Sequence, residues 1–95
     1  PKQIVQVANE LNGTLEAVLF NGKLEQINRL SVGELAEKLQ QIDGVDTVVF
    51  DGVITKRLVD IADDKKIKHL IAARVSNAVK PPLNVNLLTF TDINS

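Results

Sequence analysis

At 95 residues, with 11 basic residues against 12 acidic ones, a net charge of −1 and no cysteine, the chain has the makings of a single domain. A chain of this size buries roughly 60 to 65% of its unfolded surface, so a modest core suffices without staples. The same numbers exclude disulfides, thiolate nucleophiles and sulfur metal sites, and argue against a purely electrostatic nucleic-acid binder.

In chain order, Ile4, Val7, Ala8 and Leu11 stand at helical spacing, and Asn12-Gly13 supplies a left-handed stop behind them. An apolar strand is expected over 15–20. Asn21-Gly22 suits a type I′ hairpin turn, with a return strand over 23–28 whose mixed pattern, Leu24 opposite in phase to Ile27, leaves its register open and places one end at the sheet edge. The next helix starts with Ser31 as cap, Glu34 completing a capping box and Leu30 stapling onto Leu35; Leu35, Ala36, Leu39 and Ile42 form its buried stripe and Gly44 ends it.

The stretch 45–62 reads as a central strand apolar on both faces at Val48, Val49 and Phe50, a tight turn carrying Asp51 and Gly52, and a helix. That helix is capped by Thr55, faces inward with Leu58, Val59, Ile61 and Ala62, and has Lys65 and Lys66 favouring its C-terminal end. A strand over 67–75 follows, completing a strand-helix-strand unit with a parallel crossover. Pro81-Pro82 mark a loop, and the last strand is expected over 85–90. The fold class is α/β: a mixed sheet of about five strands, an antiparallel hairpin plus the parallel unit, packed with about three helices.

Asp51 is the first suspect for chemistry, because open α/β sheets place ligands at the carboxyl ends of their strands. It stands alone, however: a phosphoryl-transfer centre needs several oxygen ligands, and the position that would complete an Asp-x-Asp pair is Val53. The simpler reading is that Asp51 accepts hydrogen bonds from backbone N–H groups of the Gly52 turn or the helix start. Asp63 and Asp64 read as a solvated face beside Lys65 and Lys66. His69, the only histidine, carries no site geometry and reads as a strand-edge polar residue.

Lys56 and Arg57 are unusual, since cations in a helix's first turn oppose its dipole; they read as facing a partner. With Lys65, Lys66, Lys68, Arg74 and Lys80 they could also make a basic patch, but the three phenylalanines are the only aromatics and all read as core, so base-stacking platforms are lacking. No glycine-rich phosphate loop and no apolar run approaching about 18 residues is present. The lack of cysteine fits an intracellular, cytoplasmic protein. The chain opens on Pro1 rather than Met, which points to processing or to a piece of a longer chain.

The run from Gly44 to Ala62, centred on Phe50-Asp51-Gly52-Val53-Ile54-Thr55, together with the Lys68–Arg74 strand, the Pro-Pro and Asn84-Val85 passage, and the Leu30–Leu39 helix start, resembles the C-terminal region of archaeal DnaG-type primases. The resemblance covers nearly the whole chain. It implies that residues 1–95 form one domain following a TOPRIM module, whose catalytic Glu and Asp-x-Asp bind Mg²⁺ for nucleotidyl transfer in primer synthesis and which this chain lacks. It also implies association of the parent with the RNA exosome, through a cap subunit, while adenine-rich RNA binding belongs mainly to the parent's N-terminal part.

No catalytic, cofactor-binding or metal-binding residue is therefore carried over. The expected partner surface is Asp51, Gly52, Lys56, Arg57, Lys65, Lys66 and Lys68. The leading expectation is a non-catalytic interaction domain. The alternatives are an accessory part of primer synthesis with Asp51 near the metal, and a weak nucleic-acid-binding module using the same cations.

Overall fold

The computed structural model describes residues 2–77 and 79–94. Helix α1 (Lys2–Leu11) turns Ile4, Ala8 and Leu11 into the core. It stops at Gly13, whose φ of +87° a side chain would oppose, with the Thr14 N–H and hydroxyl both donating to the Leu11 carbonyl. Strand β1 (Glu16–Phe20) is buried from Ala17 onward.

The hairpin that follows differs from the expected two-residue turn. Strand β2 (Gln26–Ser31) begins only after a loop over 21–25, because the Asn21 side-chain oxygen accepts from the N–H groups of both Lys23 and Glu25 at 2.9 and 3.0 Å. An Asn so engaged holds a wider loop, in which Leu24 takes φ +60°. Ile27 is the extra residue where the β1–β2 register shifts, since Leu19 pairs with Asn28 and Phe20 with Gln26.

Ser31 ends β2 and sits at the cap of helix α2 (Val32–Gln41) without making the expected side-chain cap. Its hydroxyl instead donates to Glu34 Oε1 at 3.0 Å, while the first helical N–H, that of Val32, donates to the Leu15 carbonyl at 2.9 Å. The neighbouring strand thus supplies the acceptor that a cap would have provided. The Leu35 and Leu39 stripe is buried as expected, and the helix ends at Gln41, three residues before Gly44, with the Ile42 N–H donating to the Lys38 carbonyl.

Strand β3 (Thr47–Ile54), helix α3 (Lys56–Asp64) and strand β4 (His69–Val75) form the parallel unit. Thr55 caps α3 by accepting from the Leu58 N–H at 3.3 Å. Strand β5 (Asn86–Thr89) is shorter than expected, because Phe90 opens a further helix, α4 (Phe90–Asn94). The two are joined by a reciprocal box: the Thr89 N–H donates to Asp92 Oδ2 at 2.8 Å and the Asp92 N–H to Thr89 Oγ1 at 3.1 Å.

The sheet order is β2-β1-β3-β4-β5, antiparallel on the β1 side of β3 and parallel on the other. One core holds Leu19, Val48, Phe50, Leu70 and Ala72 against α2 and α3; the other holds Val18, Phe20, Val49 and Ile71 against α1 and α4. Alternation along each strand sends consecutive residues to opposite layers. Leu39, fully buried between α2 and the sheet, tests the first core: Leu39→Ala should cost about 2 to 5 kcal/mol in urea unfolding.

Candidate interaction surface

Asp51 lies inside β3, not in a turn. Between the Phe50–Ala72 and Val53–Arg74 pairs, Asp51 and Gly52 stand opposite the single residue Ala73, so the expected turn is a β-bulge and the strand runs on to Ile54. Asp51 is 8% exposed, and its Oδ2 accepts from the Leu15 N–H at 2.9 Å, 36 positions away in the chain. Leu15 needs this support because its φ is +56°, which takes its N–H out of regular pairing. At Gly52 a Cβ would meet the Phe50 ring and Val32 Cγ1 at 3.2 Å, so glycine here is a packing requirement.

The carboxylate is thus committed to the backbone of β1's entry. Among the described residues, no three His, Asp or Glu side chains are placed to share a metal ion.

The cations fall into two groups. Lys56 and Arg57 stand at the start of α3, near the carboxyl end of β3 where Asp51 and Gly52 lie. Lys65, Lys66 and Lys68 follow the other end, about 13 Å away along the helix axis, beside the first residues of β3 and β4. Lys56 is answered by Asp60 one turn on, at 2.8 Å, a bond that raises the lysine pKa. Lys65 donates to Asp43 Oδ1 at 2.7 Å, and that hydrogen bond, with the attraction between the charges, lowers the Asp43 pKa. Arg57 and Lys65 share a shallow groove between α2 and α3 with Gln40, Asp60 and Asp64.

Apolar residues outside the surface expected from the sequence stand beside these charges. Leu15 and Val53 are exposed near Asp51, and Leu83, on the 81–84 loop, is fully exposed. That loop and the α3–β4 connection flank a cleft of about 810 Å³ that includes Lys66 and Lys68. A signal was available at Leu83, an apolar residue placed by two prolines outside any helical or strand periodicity. His69 stands in a row with Thr47 and Asn86 across three strands, its Nδ1 3.5 Å from Asn86 Nδ2, at the edge of an apolar cleft of about 500 Å³ between the sheet, α1 and α4.

Known proteins place the chain further. It is 43% identical over 93 residues, 98% of its length, to a protein of Caldivirga maquilingensis named DNA primase DnaG. Proteins of that name from Saccharolobus islandicus and Saccharolobus solfataricus are 42% identical over alignments of 97 residues that take in the whole chain. The chain spans 21% of the first relative and 24% of the other two, so it is homologous to one region of DnaG-type primases. No protein-family description matches it.

Asp51→Ala should cost about 1.5 to 3 kcal/mol, as the Leu15 N–H loses a charged acceptor, and Asp51→Asn, which keeps an acceptor oxygen, should cost less; urea unfolding measures both. Asp43 gives a second check. Its lowered pKa favours the folded state above the ordinary carboxylate range, and the contribution fades as pH falls through the lowered value. In Lys65→Met the Asp43 carboxyl should titrate closer to its ordinary value when followed by carbon NMR.

Proposed function

We propose that the chain is a non-catalytic interaction domain of a DnaG-type primase, lying after the TOPRIM module, and that it helps hold the parent protein to the RNA exosome through a cap subunit. The observation that carries the primase part is identity of 42 to 43% along essentially the whole chain to a region making up only 21 to 24% of the relatives. What supports docking over chemistry is the fate of Asp51, the acid at the carboxyl end of the central strand β3, which is spent on a backbone N–H. The rim of the sheet, by contrast, exposes apolar side chains beside lysines. On this reading Mg²⁺ and primer synthesis belong to the parent's TOPRIM module, RNA contact to other parts of the parent, and the protein works in the cytoplasm. None of the described helices is long and apolar enough to cross a membrane.

Calorimetry of the chain against the exosome subunits should show saturable binding to a cap subunit; no heat with any of them would sink the docking role. Primer synthesis by a folded parent carrying Asp51→Asn should run at the normal rate, and a collapse of that rate would mean that this region takes part in the reaction.

A further inference from the structure

The cleft at the amino end of the parallel strands holds features the docking reading leaves unassigned. One wall is the 81–84 loop, where Pro81 and Pro82 fix two successive φ angles and leave Leu83 fully exposed. An apolar side chain held out by a stiff loop loses little conformational freedom on being covered, which lowers the cost of binding through it. The other wall is the α3–β4 connection, which adds the exposed side chains of Lys66 and Lys68. Neither forms an ion pair among the described residues, whereas Lys65 beside them is held by Asp43. Lys80, just before the prolines, is exposed and likewise unpaired.

Resting on the docking reading, we propose that this cleft takes an extended acidic segment of a partner protein, its carboxylates meeting Lys66 and Lys68 and its apolar side chains packing on Leu83. Charge complementarity selects an acidic occupant, because the lining carries two free lysines against the single carboxylate of Asp63. The walls favour a polypeptide over a nucleic acid: no Phe, Tyr or Trp lines the cleft to stack a base, the His69 imidazole being the one aromatic ring there, and the exposed Leu83 beside Pro81 and Pro82 offers an apolar contact that a phosphate chain does not use. The cleft is open to solvent and, at about 810 Å³, has room for an extended segment lying along it.

The test uses the whole chain and a short fluorescein-labelled peptide of alternating glutamate and leucine, with a lysine–leucine peptide and a single-stranded RNA as comparators, followed by anisotropy. The acidic peptide should bind, and should weaken as salt rises from about 50 to about 300 mM. Leu83→Ser should reduce its affinity by about tenfold, as expected for a central anchor. The double variant Lys66→Asn with Lys68→Gln should reduce it severalfold and flatten the salt dependence, with unchanged melting temperatures confirming that each variant folds.

No response to the acidic peptide, equal binding of the lysine peptide, preference for RNA, or indifference to Leu83→Ser would overturn the proposal, as would a dimer of the chain that Leu83→Ser dissolves. The two readings separate cleanly. A cap subunit that binds Leu83→Ser as well as wild type overturns the cleft and leaves docking standing. Acidic-peptide binding without cap-subunit binding supports the cleft and overturns the exosome role.

Discussion

Strand β3 buries Val48 and Phe50 on one side and Val49 on the other, and neither side can be left to water. Each of these side chains gains roughly 1.5 to 3 kcal/mol from full burial, so the strand is stable only between two apolar layers. The chain supplies them from different places: α2 and α3 come from the middle, while α1 and α4 flank it. β1 and β4, the neighbours on either side, repeat the two-faced burial, which carries the requirement across the middle of the sheet. The faces of the three central strands are therefore largely used by the fold, whereas the edge strand β2 stays exposed along most of its length and the charged and apolar side chains described above lie on the rim.

The rim is not uniform. Near Asp51 it carries Leu15 and Val53 beside Lys56 and Arg57; at the opposite end it carries Leu83 beside Lys66 and Lys68. Grouping all the cations into one patch treats neighbours in sequence as neighbours in space. A helix returning antiparallel to its strand puts its first and last turns toward opposite ends of the sheet, so Lys56 lies apart from Lys66 and Lys68, while Arg57 and Lys65 still line one groove between α2 and α3.

Features set by contacts a few residues apart were legible in the sequence. The α1 stripe and its stop at Gly13, the Leu35 and Leu39 stripe of α2, the Thr55 cap and the strand-helix-strand unit all follow from local spacing. Features set by distant partners were not. Ser31 looks like a side-chain cap until the Leu15 carbonyl takes the first N–H of α2. Asp51-Gly52 looks like a turn until Leu15 supplies a donor from 36 positions away. The hairpin and α4 are different cases, since Asn21 and the Thr89-x-x-Asp92 pattern were local signals that the stronger Asn-Gly and strand patterns outweighed.

The bond between Asp51 and Leu15 has a further consequence for how β1 and β3 find each other. Ala17 to Phe20 and Val48 to Phe50 are apolar without alternation, so sliding one strand along the other by a single residue would still bury apolar side chains on both faces. In most sheets such a slip is forbidden because it throws polar residues into the core. Here that penalty is missing, and the hydrophobic code is degenerate between alignments. A left-handed Leu15 donating to one bulged carboxylate fits a single alignment. Asp51 therefore acts as an index mark, distinguishing the native pairing from misaligned ones that burial alone would accept.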